Sequence, residues 1–238
     1  GFVLANLFEV MLAGYLNIGK TKVKKMVLPT CKKVVDFTKT DFGPDFKWGV
    51  AAASYQTEGA WNLHGKSESI WDHFSHKSGK IERGETADVA TDFYNRYEED
   101  IDLIKSMNFK VFRFSLSWPR ILPNGTGEIN RAGLDFYHRV IDKCLSVGLE
   151  PWITIYHWDL PQVLEAQGGW TNRKILDWFS EYADVVTKEF GGKVKNWMVI
   201  NEQLSFTGGG YLVGFMAPGR RSISGFLKAV HHSVLCNA

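Results

Sequence analysis

Val194-Lys-Asn-Trp-Met-Val-Ile-Asn-Glu-Gln203 is the stretch on which the fold turns. Trp197-Met-Val-Ile200 is a short apolar, β-prone run, which reads as a strand buried on both faces. Asn201 and Glu202 follow at its C-terminal end, with Gly208-Gly-Gly210 soon after. An amide and a carboxylate at the mouth of a parallel strand sit where α/β barrels keep their chemistry. Alone, the pair reads equally well as a solvated loop or a helix cap, so the rest of the chain has to decide.

Upstream of it, strand-like and helix-like segments alternate. Phe46 to Ala53 reads as a first strand, running into Ser54 to Ala60 as a polar strand end, with a long loop from Asn62 to Glu85. Asp88 to Met107 has helical spacing, with Phe93, Tyr97, Ile101 and Ile104 on one side. Lys110 to Trp118 is the second strand. Asn130 to Val147 is the second helix, capped by Asn130, striped by Leu134, Tyr137, Ile141 and Leu145 and stopped by Gly148. Glu150 to Tyr156 is the third strand. Thr171 is expected to cap a third helix carrying Ile175, Trp178, Phe179, Tyr182 and Val186, ended by Gly191-Gly192. A fourth helix begins near Ser222 and is expected to run on to Ala238.

Repeated strand–helix units imply a parallel sheet with right-handed crossovers, either doubly wound or closed into a barrel. No Gly-x-Gly-x-x-Gly follows the first strand, which removes the main support for a dinucleotide fold. Gln56, His157 and Asn201-Glu202 each lie just past a strand's C-terminal end, and this favours the barrel. Only about four of the eight βα units of a TIM (β/α)8 barrel are present.

Composition narrows the function. The 238 residues are 45% hydrophobic with a net charge of +2, so neither nucleic acid nor a membrane surface is indicated as a partner. Cys31, Cys144 and Cys236 are widely spaced and odd in number, which argues against a disulfide framework or zinc site and favours the cytoplasm. Phe2 to Leu16 is apolar but too short to span a bilayer and lacks a basic flank, and it reads as a packed helix. Lys20 to Lys33 reads as a solvated basic patch. Nine Trp, eight Tyr and sixteen Phe read either as core alone or as the lining of a sugar-binding cleft, where apolar ring faces stack on aromatic planes.

Among the polar residues, Gln56 reads equally as a loop amide and His157 as a structural histidine. Arg113, inside an apolar strand, calls for an anionic partner from a neighbouring strand end. His231-His232 are adjacent on a helix and point to different faces, so they read as packing residues and no metal is expected.

Phe46-x-Trp-Gly-x-Ala-Ala-Ala-Ser-Tyr-Gln-x-Glu-Gly-Ala60, Ser69-Ile-Trp-Asp72, Arg113-Phe-Ser-Leu-Ser-Trp118, Tyr156-His-Trp-Asp-Leu-Pro161, Gly168-Gly-Trp170 and Tyr211-x-x-Gly-x-x-Ala-Pro-Gly219 stand in this order along the chain. With Asn201-Glu202, these motifs resemble the family 1 glycoside hydrolases of the β-glucosidase type. The resemblance runs from Asp45 to the last residue, leaving 1–44 as an N-terminal extension and 45–238 as the first half of a barrel cut in its fourth helix. It implies a retaining hydrolase of terminal β-D-glucosides or β-D-galactosides, working without metal or cofactor on a small glycoside or an oligosaccharide.

By that resemblance Glu202 is the acid/base, Arg113 holds the nucleophile ionised and oriented, and Asn201 holds the sugar 2-hydroxyl. Gln56 and His157 grip the remaining glycone hydroxyls, and Trp158 shapes the pocket wall or merely packs. Such chemistry requires a raised Glu202 pKa, from partial burial and from the neighbouring nucleophile. Gln203 stands where the family usually has Pro, which would fix the backbone after Glu202, and is a minor departure because the Asn201-Glu202 pair stands. The nucleophile's Thr-Glu-Asn-Gly stretch is absent from these residues. A non-catalytic sugar- or protein-binding relative, or an inactive fragment with exposed strand edges, is the alternative.

Overall fold

The computed structural model describes residues 38–238. Within them β1 (Gly49–Ala51), β2 (Val111–Ser115), β3 (Glu150–Tyr156) and β4 (Asn196–Ile200) form one parallel sheet in sequence order. Each strand leads to a long helix: α1 (Phe93–Ser106), α2 (Arg131–Ser146), α3 (Ile175–Phe190) and α4 (Ile223–Cys236). A doubly wound sheet reverses its strand order at a switch point, whereas a barrel never does. The unbroken order β1-β2-β3-β4 is therefore that of a partial (β/α)8 barrel. The chain divides between Asp45 and Phe46, and the sheet and these helices all lie in Phe46–Ala238.

Burial follows the pleat. In β2, Phe112 and Phe114 are buried in the core, and the ring of Phe112 lies 6.0 Å from that of Phe93 on α1. Arg113, between them, is only half-buried. Trp118 opens a helical turn (Trp118–Ile121) just past β2 and is fully buried. Its ring stacks on Tyr182 of α3 at 4.6 Å, which joins the second unit to the third. Within that turn Arg120 is 1% exposed and bonds Glu58 through Nε at 3.0 Å, while Tyr137 donates to the other Glu58 oxygen at 2.6 Å.

Several elements differ from the sequence expectation for local reasons. Ser54 to Thr57 is a helical turn, not a strand end, because the Ser54 amide leaves the ladder for the Ser115 hydroxyl. The expected loop at Asn62–Glu85 contains a helix, Ile70–Ser75, held by a reciprocal capping box between Ser69 and Asp72. Asn130 precedes α2 but does not cap it, since its side-chain amide donates to the carbonyls of His64 and Arg120. Leu145 is exposed, and Phe136, Val140 and Cys144 complete the buried stripe instead. Thr171 lies in a separate 3-10 turn (Gly169–Thr171) ahead of α3. Ser222 does cap α4, accepting from the Gly225 amide at 3.0 Å, but α4 closes at Asn237 before the last residue. β4 is half-buried along its length and not buried on both faces, because it pairs with β3 alone.

His232 is buried, with Nδ1 2.8 Å from the Trp170 carbonyl oxygen, whereas His231 is exposed. Cys144 is buried and Cys236 half-buried, both as free thiols. No helix among the described residues is long and apolar enough to cross a membrane. The segments Phe2–Leu16 and Lys20–Lys33, and Cys31 with them, lie outside the described residues.

Candidate active site

Parallel pairing puts the C-terminal ends of all four strands on one side of the sheet. Arg113 pairs in register with Trp152, yet its guanidinium reaches two residues further along β3. Its Nε donates to the Thr154 hydroxyl at 2.9 Å, and Nη2 donates to Oδ1 of Asn201 at 2.6 Å. The backbone N–H of Asn201 donates to the Tyr156 carbonyl at 3.0 Å, so β4 is tied to β3 at this level.

The anionic partner expected for Arg113 is not bonded to it: among the described residues it forms no ion pair within 4 Å. An amide oxygen and a hydroxyl take up its donors, and half-burial leaves the remaining charge less costly than full burial would. Desolvation holds the Arg113 pKa below its usual value, and the charge of Glu202 opposes that shift from a distance.

Donor logic then fixes the next group. Arg113 has only donors, so the amide oxygen of Asn201 must face it. The amide nitrogen consequently faces Nε2 of His157, 3.2 Å away, and donates to it. Burial, with the Arg113 charge behind it, pushes the His157 pKa down to about 4, so the ring is neutral at pH 7. A neutral ring that accepts at Nε2 carries its proton at Nδ1. That Nδ1 is buried and has no hydrogen-bond partner among the described residues, a donor left over for a ligand.

Trp158 and Glu202 share an unusual backbone. Both are non-glycine residues in the left-handed region, with φ of 79° and 44°. Such conformations cost about 1–3 kcal/mol each and concentrate at functional sites. The Trp158 indole N–H donates to the Asn201 carbonyl at 2.8 Å and so links the two turns. The carboxylate of Glu202 is exposed and makes no hydrogen bond or ion pair among the described residues; the partial burial expected of it is absent here.

Gln203 does not sit loosely. It is the first residue of a helical turn, Gln203–Thr207, the position where Pro is also well accommodated. Its side chain donates to the Ser233 carbonyl at 2.8 Å, which anchors the residue after Glu202 to α4.

Arg113, His157, Trp158 and Asn201 are thus joined by hydrogen bonds, and Glu202 adjoins them. Gln56 stands past β1 on the helical turn Ser54–Thr57, exposed and without a hydrogen bond to the other five. One participant is not visible in the sequence: Thr154 is an ordinary strand residue until its register with Arg113 is known. No cluster of three metal-ligating side chains occurs among the described residues.

The family model described as Glycosyl hydrolase family 1 matches residues 38–238. Beta-glucosidase A of Thermotoga maritima is 51% identical over 197 residues, which are 83% of this chain and 44% of that protein. Beta-glucosidase 42 of Arabidopsis thaliana is 48% identical over 205 residues, 84% of this chain and 42% of that protein. The solved structure of the Thermotoga maritima β-glucosidase in complex with glucoimidazole superposes with a TM-score of 0.81, covering 82% of this chain and 44% of the other. The chain therefore spans less than half the length of these relatives.

Proposed function

Because the chain belongs to glycosyl hydrolase family 1, we propose that it carries the glycone-binding and acid/base side chains of a retaining β-glycosidase acting on terminal β-glucosides or β-galactosides. The observation that carries this reading is the bonded run Arg113–Asn201–His157 beside the Glu202 turn. It presents fixed polar groups of known donor sense at one strand-end surface, as a sugar's hydroxyl array requires. The relatives named above are β-glucosidases, and solved structures of one of them hold glucoimidazole or deoxynojirimycin.

In this reaction two carboxyl groups stand about 5–5.5 Å apart across the glycosidic bond. The second carboxylate attacks the anomeric carbon while Glu202 gives its proton to the departing oxygen, which leaves as the aglycone alcohol. Glu202, now ionised, takes a proton from water as the water oxygen attacks the same carbon. The sugar is released with its configuration retained, and both carboxyl groups return to their starting states. No Thr-Glu-Asn-Gly stretch occurs in the 238 residues, so the second carboxylate is assigned to a segment outside them.

Hydrolysis of a chromogenic aryl β-glucoside tests this reading, comparing the full-length protein with its Glu202→Ala variant and with residues 1–238 alone. We expect turnover by the full-length protein only. Turnover by residues 1–238, lost on Glu202→Ala, would place the second carboxylate within these residues or in a second copy. A full-length protein inactive on β-glucosides and β-galactosides alike would overturn the assignment.

A further inference from the structure

A buried run of hydroxyls joins the C-terminal ends of the first three strands. The Ser54 amide donates to the Ser115 hydroxyl at 2.8 Å. The Ser115 hydroxyl donates to the Ser54 oxygen at 3.1 Å, and Ser54 donates in turn to Oδ2 of Asp159 at 2.9 Å. Each residue lies just past or at the end of a different strand: Ser54 beyond β1, Ser115 closing β2, Asp159 beyond β3. All three are 4% exposed or less. Every hydroxyl proton in the run points towards Asp159, so the run has no terminus without that oxygen.

The other Asp159 oxygen, Oδ1, is buried and has no hydrogen-bond partner among the described residues, as is true of the hydroxyl of Ser117. Both line a cavity of about 10 Å³ walled by Tyr55, Lys66 and Asp72 among others. Burial pushes the Asp159 carboxyl up to about 7 against its bond from Ser54; Glu58 raises it further, and Ser117 and Lys66 lower it. Tyr156 and Tyr182 also face it, both held neutral by burial, while Lys66 is occupied by Asp72 at 2.8 Å. A protonated Asp159 can therefore close the run by donating towards Ser117.

We propose that Asp159 is a positioning residue for glycone binding, fastening the helical turn that carries Gln56 to the strand end that carries His157 and Trp158. Gln56 is two residues beyond Ser54, and His157 is two residues before Asp159. Among the described residues no hydrogen bond joins Gln56 directly to the other candidate groups, and the Ser54–Asp159 bond is a side-chain link that spans them beyond the strand ladder. The proposal rests on the glycosidase reading for its substrate, but the linkage itself does not.

The test uses the full-length protein with Asp159→Ala, Asp159→Asn and, as a milder cut, Ser54→Ala. Asn keeps an acceptor for Ser54 and supplies a donor towards Ser117, as the protonated acid does. For an aryl β-glucoside, we expect Asp159→Ala to raise KM roughly tenfold with a smaller change in kcat, the cost of a buried hydroxyl left without its acceptor. Ser54→Ala should raise KM several-fold, and Asp159→Asn should restore KM to about twofold of the parent. Inhibition by deoxynojirimycin should weaken in the same order.

Lowered melting temperatures with unchanged KM and inhibition would reduce Asp159 to a structural role and overturn the proposal. If the parent neither hydrolyses glycosides nor binds deoxynojirimycin, the functional reading fails separately. The linkage is then judged by NMR on the Gln56 side-chain amide and the His157 ring. Shifts of both in Asp159→Ala and Ser54→Ala, with parental positions in Asp159→Asn, uphold it; unmoved signals in the Ala variants sink it.

Discussion

Nη2 of Arg113 donates to Oδ1 of Asn201 at 2.6 Å, and this bond decides which way round the Asn201 amide sits. Through the amide it also decides the tautomer of His157, which follows the neighbouring strand β3. An arginine in an apolar strand thus acts by orienting neutral groups that have no charge of their own to hold them.

The tautomer is directly observable. Nitrogen NMR of His157 in the full-length protein at pH 7 should show a bare Nε2 and a protonated Nδ1. Arg113→Met frees the amide to rotate, and the two nitrogen signals should move towards each other as tautomers mix. Unchanged signals would mean that something other than Arg113 orients the amide.

Protonation of His157 gives a pH test with a definite sign. An unfolded histidine takes up its proton near pH 6.5, while the folded ring, buried beside Arg113, does so only near 4. Between those values the unfolded chain binds more protons, so stability falls as pH drops from 6.5 towards 4 and this contribution levels off below. The parent should lose melting temperature over that window, and His157→Gln should lose less. Equal slopes in the two proteins would show that His157 is not held neutral.

Leaving-group dependence separates an acid/base from a mere binding carboxylate. Glu202→Gln in the full-length protein should lower hydrolysis of alkyl β-glucosides by about 10²–10⁴-fold. Dinitrophenyl glycosides need little protonation, so they should still form the glycosyl-enzyme in a burst. A loss independent of leaving group would reassign Glu202 to binding or positioning.

Removal of one partner from the buried Arg120–Glu58 pair should be costly. Glu58→Ala strands a guanidinium that is 1% exposed and deprives Tyr137 of its acceptor. Loss of such a partner costs about 3–5 kcal/mol. Denaturant unfolding of the full-length protein checks this, and a change under about 1 kcal/mol would mean that solvent reaches Arg120.

Much of this protein is legible in its sequence because periodicity and motif order are local properties. The expected third strand coincides with β3, and Phe93 and Ile101 on α1, like Ile175, Phe179, Tyr182 and Val186 on α3, are buried as their spacing predicts, with Tyr97, Ile104 and Trp178 only half-buried. Short elements were not legible, since four to six residues carry too little periodicity: the helical turn at Ser54–Thr57 and the helix at Ile70–Ser75 depend on Ser115 and on a capping box. Asn130 and Thr171 look like caps from composition, yet their side chains bond elsewhere once neighbouring loops are in place.

The sequence by itself determined the alternation of strand and helix, the residues at each strand end and the family, all written in consecutive residues. Only the tertiary structure decided which of those side chains meet. Arg113 finds Asn201 eighty-eight residues away, and Ser54 finds Asp159 at a separation of one hundred and five. Hydrogen bonds over such separations depend on strand register, and register is set by how whole strands and helices pack.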